Sequence, residues 1–313
     1  MVVICDCDFS CRRCSFLIKQ HQGHVTKKEQ TIADSMAIVD HKWEMRVEVG
    51  RGAFAIVELV RHPKNDIAMI LKTVSKNKYE RFREKPQVSL THANEICILQ
   101  TLDHTRIIKL RWFEEDEVNV YMTFDYMEGG DLLADIMLHG LLPEEFGRSH
   151  AVQLCEGLLY LDVKRVVHRD MKPENVLLDR IHREHRHIRI ADFGVSRFCG
   201  SKEKCFTICG TPMFMAPEVY EVQRGNSNGY DKSVDVWGLG AVLYVMLSGL
   251  PPFDEERNLV HQIMKGEYDF EDEQWKFVSD AGQKLVTKLL CVQVLERISV
   301  HAVLRCDWLS SRT

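Results

Sequence analysis

VVHRDMKPENVLL at Val166–Leu178, followed by IRIADFG at Ile188–Gly194, is the most informative stretch of this 313-residue chain. Its first half contains the triplet His168–Asp170, which opens a loop that ends at Asn175. Its second half places another carboxylate, Asp192, at the end of an apolar run. The short apolar runs predict two strands with a turn between them, and the polar groups gather where those strands end.

The polar groups of this stretch are those that phosphoryl transfer requires. Asp170 is suited to accept the proton of a hydroxyl, and Lys172 to offset charge on the moving phosphoryl group. Asn175 and Asp192 offer the amide and carboxylate oxygens that hold a divalent metal. Either H-R-D or D-F-G alone occurs by chance, but H-R-D-x-K-x-x-N followed by D-F-G is a specific combination.

These motifs resemble the catalytic core of eukaryotic protein kinases, and the resemblance covers about residues 41–310. It implies an α+β, bilobal fold with ATP and Mg²⁺ as cofactors. Residues 41–126 are expected to form a small β-rich N-lobe with one key helix, and residues 127–310 a larger, mainly helical C-lobe. Residues 1–40 are expected to be a flexible, cysteine-rich tail, and residues 311–313 the C-terminal end.

The start of the kinase-like region resembles the strands and loop that cover a nucleotide. Lys42–Val49 alternates apolar and charged residues, which predicts a half-buried strand whose inward face carries Val47 and Val49. GRGAFAIV at Gly50–Val57 is similar to the kinase glycine-rich loop, although Ala55 replaces the third glycine, and a plain hairpin turn is the alternative. The expected ATP contacts here are Val49, Gly50, Arg51, Gly52, Ala53, Phe54, Ala55, Ile56 and Val57.

A lysine in the next apolar strand points to an ion pair. Ile67–Val74 is predicted to be a strand, and Lys72 within it needs a partner if it is buried. The candidate is Glu95, in a predicted helix over Thr91–Leu102. In kinases this pair aligns the lysine on the ATP phosphates. Ile70 stands where kinases usually have a small alanine above the adenine.

The following strand leads into a stretch that is similar to the kinase hinge. Val118–Phe124 alternates again, with Phe124 as a bulky gatekeeper. The resemblance implies that backbone groups of Asp125 and Met127 contact the adenine, and that Asp131 contacts the ribose or a basic substrate residue. The remaining expected ATP contacts are Ile70, Lys72, Phe124, Asp125, Met127, Asp131, Glu174, Asn175 and Asp192.

Gly194–Glu218 matches a kinase activation segment. Thr211, together with Lys172, is typical of serine/threonine rather than tyrosine kinases. Thr207 is placed to be phosphorylated, either by an upstream kinase or by a second copy of the chain. A phosphate there is expected to pair with Arg169 and order the segment.

Three further residues match structural positions of the kinase C-lobe. Asp235 opens the D-x-W-x-x-G motif and is expected to bond the backbone of the catalytic loop. Arg297 matches the arginine that pairs with Glu218. Gln293–Val294 and Cys306–Trp308 depart from the usual D-P and H-P-W, and these departures predict lowered stability.

Charge and composition limit the classes of molecule that the chain is expected to bind. The net charge of −5 and the absence of a basic surface pattern argue against nucleic acid. Eleven cysteines, an odd number, fit a reducing compartment better than a disulfide framework. Val236–Phe253 carries no charge, but its glycines and prolines favour a buried helix over a membrane span. We therefore expect no nucleic-acid and no membrane partner.

Two groups of residues invite a metal interpretation. The first has a spacing that suits zinc and comprises Cys5, Cys7, Cys11 and Cys14. The second lies in one connection and comprises His182, His185 and His187. For the cysteines a disordered, cysteine-rich tail is favoured, because no histidine or second pair follows at a finger-like distance. For the histidines a hairpin tip is favoured, because their neighbours are arginines.

Within the kinases, the chain resembles the calcium/calmodulin-dependent group and, inside it, the checkpoint kinase 2 family. This resemblance rests on three stretches, namely insertions at Lys76–Thr91 and Val222–Gly229 and the amino-acid sequence of Ser248–Trp275. That family has a forkhead-associated domain before the kinase, which forty residues are too few to form. The chain is therefore either a kinase-only relative or a truncated sequence.

This resemblance implies substrates with Arg at position −3, received by Glu174 and Asp131, and possible homodimers. It also implies a role in DNA-damage checkpoint or cell-cycle signalling in the nucleus, the cytoplasm or both. One alternative is a pseudokinase scaffold, which is suggested by the departures from the kinase pattern at Ala55, Ile70 and Gln293–Val294. The other is another kinase of the same group without calmodulin control.

Overall fold

The structure is a computed structural model that describes residues 45–52, 55–61, 67–76, 92–180, 186–200 and 203–310. The N-terminal cysteines, Ala53, Phe54, and the histidines at 182 and 185 lie outside these described residues. The chain divides into two compact units. Of the described residues, the smaller unit contains 45–46, 60–61 and 67–68. The larger unit comprises Val47–Leu59 and Met69–Thr313, and it contains all residues of the candidate site.

The N-terminal part is built on a five-stranded sheet with strand order β1-β2-β3-β5-β4. Its strands are β1 (Met45–Arg51), β2 (Ala55–Arg61), β3 (Ala68–Ser75), β4 (Leu110–Glu115) and β5 (Asn119–Asp125). Helix α1 (His92–Thr101) lies between β3 and β4 in the chain. The predicted strands and helix are present, with bounds shifted by one or a few residues.

The register of β3 against β5 explains why a lysine lies in the interior. The two strands are antiparallel, and Lys72 lies opposite Met122 while Ile70 lies opposite Phe124. Opposed residues share a face of the sheet, and Val120, Met122 and Phe124 are all buried. Lys72 therefore extends from a buried face, where an ammonium group needs an ionic partner.

Helix α1 supplies that partner. Ile96, Leu99 and the following Leu102 are buried, as the apolar spacing predicted. Glu95 is only 4% exposed, so the same inward side of the helix carries both the apolar stripe and a carboxylate. The packing of the helix thus determines where this carboxylate lies.

The prediction that Val47 and Val49 of β1 are buried is wrong. Val47 is 48% exposed and Val49 is 54% exposed, although the alternation favoured burial of both. β1 is an edge strand of the sheet, and the burial of an edge strand depends on what covers its faces. Sequence alternation reports which side chains share a face, but it does not report whether that face is covered.

The C-terminal part is mainly helical. Its helices are α2 (Leu132–His139), α3 (Glu144–Val163), α4 (Pro217–Gln223), α5 (Ser233–Ser248), α6 (Leu259–Lys265), α7 (Asp280–Leu289), α8 (Val300–Val303) and α9 (Asp307–Ser310). The 3-10 turns that the structure describes here are Pro173–Asn175, Pro212–Phe214 and Glu273–Phe277. A sheet-rich N-terminal part followed by a helical part confirms the expected α+β kinase fold.

Helix α5 accounts for the long charge-free run in the sequence. Every residue from Val234 to Ser248 is buried, so this helix is apolar on all sides because it crosses the core. Gly238 allows its close approach to the catalytic loop, since a Cβ there would lie 2.6 Å from the Cβ of Met171. No helix in the described ranges has the length and apolarity that crossing a bilayer would require.

Two small antiparallel sheets position the signature motifs. β6 (Val166–Val167) pairs with β9 (Arg197–Phe198), and β7 (Val176–Leu178) pairs with β8 (Ile188–Ile190). The catalytic loop follows β6 and ends at β7, while the D-F-G triplet lies between β8 and β9. Both polar clusters of the sequence are therefore anchored at strand ends, as the sequence predicted.

The C-terminal end of the helical part retains its anchors despite the changed motifs. Trp308 is 1% exposed, and its indole Nε1 donates a hydrogen bond to Glu144 at the start of α3. The hydroxyl of Ser279 donates to the same carboxylate. Among the described residues, none of the seven cysteines forms a disulfide with another.

Candidate active site

A buried carboxylate in α5 holds the catalytic loop. Asp235 accepts hydrogen bonds from the backbone N–H groups of His168 and Arg169, both at 2.8 Å. Arg169 has a φ of 70°, in the left-handed region that costs a non-glycine residue about 1 kcal/mol or more. Two backbone hydrogen bonds to this buried carboxyl group offset that cost, so Asp235 fixes the turn immediately before Asp170.

The carboxylate of Asp170 is surrounded by donors. Its Oδ1 accepts from the backbone N–H of Thr211 at 2.8 Å and from the Thr211 hydroxyl at 2.9 Å. Its Oδ2 lies 3.1 Å from the Nζ of Lys172 and accepts from the Asn175 Nδ2, also at 3.1 Å. Lys172 donates in turn to the Thr211 hydroxyl at 2.7 Å. One carboxylate thus connects the catalytic loop to the activation segment.

Lys72 binds two carboxylates at once. Its Nζ lies 2.8 Å from Oε1 of Glu95 and 3.1 Å from Oδ1 of Asp192. The side chains of Lys72 and Glu95 are 17% and 6% exposed, whereas that of Asp192 is 51% exposed. The lysine is therefore held from the protein side by Glu95, and the more open Asp192 completes the group.

The electrostatics of this group favour its charged form. Burial alone would lower the pKa of Lys72, but the charges of Asp192 and Glu95 outweigh it and raise that pKa. The ammonium of Lys72 lowers the pKa of Asp192 to about 2, against the opposing effect of burial. Asp192 is consequently an anion over the physiological pH range.

The backbone around the D-F-G triplet is tightly constrained. Asp192 has a φ of 60°, a strained value for a non-glycine residue. Phe193 is fully buried and meets His168 edge to face at 4.9 Å between ring centroids. A Cβ at Gly194 would lie 3.2 Å from Oδ1 of Asp192, so a glycine leaves room for the ion pair.

The residues expected at the adenine differ in how the structure uses their side chains. Asp125 binds two arginines, Arg111 at 2.6 Å and Arg189 at 2.6 Å, which lower the pKa of Asp125 against the effect of burial. Only its backbone therefore remains for a nucleotide. Met127 and Phe124 are buried.

Two acidic residues expected near substrate or ribose lie in different settings. Asp131 caps helix α2, because its Oδ1 accepts from the backbone N–H of Ala134 at 2.9 Å. The Oε2 of Glu174 is buried and has no hydrogen-bond partner among the described residues. The desolvation cost of such an oxygen makes Glu174 a place where a cationic ligand group would be stabilised.

The activation segment is joined to Arg169 through a tyrosine that the sequence did not single out. The Tyr230 hydroxyl accepts from Nη1 of Arg169 at 3.2 Å and donates to the backbone carbonyl of Thr207 at 2.5 Å. Arg169 also donates from Nε to the carbonyl of Val195 at 2.7 Å. Thr207 and Arg169 are thus linked indirectly, through the Tyr230 hydroxyl.

Glu218 and Arg297 form a bidentate ion pair. Nη1 and Nη2 of the arginine lie 2.7 Å and 2.9 Å from the two carboxylate oxygens. The arginine also donates to the carbonyls of Ser233 and Cys291, and its guanidinium lies over the ring of Trp237. These contacts join α4 to α5 and to the loop that contains the altered Gln293–Val294.

The structure describes only His187 of the three histidines for which a metal site was considered. His187 contacts Nη1 of Arg106 at 3.1 Å through its Nδ1. Among the described residues, no group of three or more His, Cys, Asp or Glu is arranged to hold a metal ion. Arg186, in the same connection, forms a buried ion pair with Asp135.

Sequence reasoning missed three features of the site. Thr211 was expected to mark the enzyme class, but it also bonds Asp170 directly. Tyr230 and the double pairing of Asp125 were not expected. No local pattern would have revealed them, since each depends on residues brought together from distant parts of the chain.

Comparison with known proteins agrees with this geometry. A family model described as protein kinase domain matches residues 43–309. The chain is 32% identical over 289 residues to the human serine/threonine-protein kinase DCLK3, an overlap that covers 91% of this chain and 43% of that protein. It is 34% identical over 278 residues to myosin light chain kinase A of Dictyostelium discoideum, covering 88% of this chain and 90% of that one.

A third relative is calcium/calmodulin-dependent protein kinase type 1 of Macrobrachium nipponense, 31% identical over 294 residues, or 93% of this chain and 82% of that protein. The chain spans about half the length, or less, of several relatives, the human protein among them. With its fold, its signature groups and a family match over nearly its whole length, the chain belongs to the protein kinase family, with serine/threonine kinases as its relatives.

Proposed function

We propose that the chain is an active serine/threonine protein kinase that transfers the γ-phosphoryl group of Mg-ATP to a protein hydroxyl. The observation that carries this proposal is the contact of Lys72 with both Glu95 and Asp192, at 2.8 Å and 3.1 Å. Kinase catalysis requires the lysine–glutamate pair and the metal-binding aspartate to be in place together. The observed contacts bring these three side chains together, which supports the proposal.

The residues of the site fit a magnesium-bound nucleotide. Asn175 directs its Nδ2 toward Asp170, which leaves its amide oxygen outside the hydrogen bonds among described residues. Asp192 is ionised and half exposed, and only its Oδ1 contacts Lys72. Carboxylate and amide oxygens are the ligands that Mg²⁺ prefers. Asn175 and Asp192 would therefore hold the metal.

Each polar residue then has a defined task. Bound Mg-ATP supplies the phosphoryl group and part of its charge neutralisation. Asp170 accepts the proton of the substrate hydroxyl and orients it, and Lys172 lies beside it to stabilise negative charge. Lys72, fixed by Glu95, binds the phosphates that stay behind. Such a site accelerates the reaction through position and electrostatics rather than through a covalent intermediate.

Basic peptides are the substrate class that we propose. The buried, unpaired Oε2 of Glu174 supports this choice, because an arginine of the substrate would supply the missing donors. Asp131 contributes negative charge but already caps α2. An arginine three positions before the acceptor is the preference to test first.

The proposed cellular setting rests on the resemblance of the sequence to the checkpoint kinase 2 family. We extend the proposal to DNA-damage checkpoint or cell-cycle signalling in the nucleus or cytoplasm, with activation at Thr207 by another kinase or a second copy. A homodimer is part of this proposal. A single mass, equal to that of the monomer, at high concentration of unphosphorylated protein would argue against it.

A transfer assay tests the proposed activity. Wild type and Asp170→Ala are incubated with Mg-ATP and two peptides that differ only in Arg or Ala at position −3. We expect transfer by wild type alone and faster transfer to the arginine peptide. If wild type binds nucleotide but transfers nothing, even after Thr207 is phosphorylated by another kinase, the chain is a pseudokinase scaffold instead.

A further inference from the structure

Tyr230 lies at the meeting point of the activation segment and the catalytic loop. It is 2% exposed and stands just before α5. Its hydroxyl touches three groups, namely Nη1 of Arg169 at 3.2 Å, the carbonyl of Thr207 at 2.5 Å and the Sγ of Cys209 at 3.8 Å. Burial raises the pKa of Tyr230, so the phenol stays protonated and donates.

The backbone of Tyr230 adds two hydrogen bonds. Cys205 N–H donates to the Tyr230 carbonyl at 2.7 Å, and Tyr230 N–H donates to the Cys205 carbonyl at 2.9 Å. Gly229 permits this pairing, because a Cβ there would lie 2.9 Å from the Cys205 carbonyl oxygen. One residue therefore contacts the activation segment at three alternate positions, 205, 207 and 209.

The other end of the bridge is Arg169, directly before Asp170. The guanidinium uses Nε for Val195 and Nη1 for Tyr230, while Nη2 is buried without a partner among the described residues. A buried guanidinium needs acceptors around it. The phenol oxygen supplies one of them.

We propose that Tyr230 is a positioning residue that orders the activation segment before phosphorylation and so supports basal kinase activity. This inference rests on the proposed activity and deepens it. The hydroxyl holds Thr207 in place and fixes the side chain of Arg169. The segment then presents Thr211 to Asp170, where the hydroxyl-bearing substrate must dock.

The test is Tyr230→Phe in a Thr207→Ala background, which excludes phosphate at that position but keeps the backbone carbonyl. We expect kcat/KM for an arginine-containing peptide to fall about tenfold, since a buried hydrogen bond to a charged group has that magnitude. KM for ATP should change by less than about twofold, because the contacts of Lys72 do not involve Tyr230. A general loss of structure would change both kcat/KM for the peptide and KM for ATP.

Tyr244→Phe is the matched control. This substitution also removes the hydroxyl of a buried tyrosine. In wild type that hydroxyl donates to a backbone carbonyl, that of Asp269 at 2.9 Å, and it makes no contact with the activation segment among the described hydrogen bonds. This variant should keep the kcat/KM of its parent. Equal losses in the two variants would overturn the inference.

Hydrogen exchange of the backbone supplies a readout that does not need activity. In Tyr230→Phe, amides from Cys205 to Thr211 should exchange faster, while those of α5 should be unchanged. Unchanged exchange in the segment would overturn the role of Tyr230 even in an inactive protein. If wild type fails to transfer phosphate but the segment does loosen, the proposed activity fails and the positioning role stands.

Discussion

At the scale of single residues, the site depends on one buried cation shared between two anions. Lys72 is largely buried between Glu95 and the more exposed Asp192. A buried ion pair contributes less to stability than its geometry suggests, because both charges lose their hydration. Removal of one partner is nevertheless costly, since the other stays buried as an uncompensated charge. Lys72 can therefore be tested through stability as well as through activity.

Lys72→Met is expected to lower the free energy of unfolding by about 3 kcal/mol, because Glu95 then has no cation nearby. Lys72→Met with Glu95→Gln should recover part of this loss, since the uncompensated carboxylate is removed. Urea unfolding of wild type, both single variants and the double variant measures the coupling. Additive losses would show that the two side chains do not interact.

Asp192 predicts a defined pH dependence. Its pKa in the folded chain is about 2, below the ordinary value of 3.8. A depressed carboxyl pKa stabilises the fold above the unfolded-state pKa, and this stabilisation is lost as pH falls from about 4 toward 2. Because the side chain is half exposed, solvent screening limits its share to roughly 1 kcal/mol or less.

The measurement is the free energy of unfolding of wild type and Asp192→Asn at a series of pH values. Wild type should lose more stability than the variant as the pH falls from about 4 toward 2. Parallel pH profiles would mean that the lysine does not depress the pKa of this carboxyl group.

At the scale of elements, the activation segment is held by close backbone approach as well as by side chains. Gly210 has a φ of 104°, and a Cβ there would lie 2.7 Å from the carbonyl oxygen of Arg169. That contact is with backbone, so a side chain at this position must move either the segment or the catalytic loop. Thr211, the next residue, bonds Asp170 and would move with it.

Gly210→Ala should therefore reduce kcat/KM for a peptide by tenfold or more, on the order of 1.4 kcal/mol, while ATP affinity is retained. Gly225→Ala is the control, because Gly225 has a φ of 74° but no atom within 4 Å of the added Cβ. The control carries the backbone strain of about 1 kcal/mol without the clash. Similar kinetics in both variants would refute the role of close approach.

Sequence predicted those elements whose cause is local. The strand that carries Lys72, the apolar stripe of α1 and the loop from His168 to Asn175 all follow from short patterns. The exposure of Val47 and Val49 was predicted wrongly, because burial of an edge strand depends on its surroundings. The bridge through Tyr230 lay beyond prediction, since it joins residues about 60 positions apart along the chain.

At the scale of the whole molecule, a bidentate ion pair joins parts of the C-terminal region that are distant in sequence. Arg297 and Glu218 are 79 positions apart, and the arginine side chain is 1% exposed. The changes at Gln293–Val294 predicted lowered stability, yet Arg297 still bonds Glu218, Ser233 and the Cys291 carbonyl. The pair is thus the anchor through which stability of this region can be tested.

Glu218→Gln should lower the free energy of unfolding by about 3 kcal/mol, because the buried guanidinium loses its anion. Glu273→Gln is the control, since the Glu273–Lys276 pair is 3.6 Å long and largely exposed. Its removal should change stability by less than about 0.5 kcal/mol. If the two variants shift the denaturant midpoint from that of wild type by equal amounts, the importance of the buried pair is contradicted.

The central claim is that Asp170 acts in phosphoryl transfer within an intact nucleotide site. The most direct measurement compares Mg-ATP affinity and peptide phosphorylation for wild type and Asp170→Asn in one preparation. Asparagine can keep the acceptor oxygen for Thr211 but cannot take up the substrate proton. We predict equal nucleotide affinity and a loss of transfer of about 100-fold or more in the variant. Equal transfer by both proteins, or the absence of Mg-ATP binding by wild type, would contradict the claim.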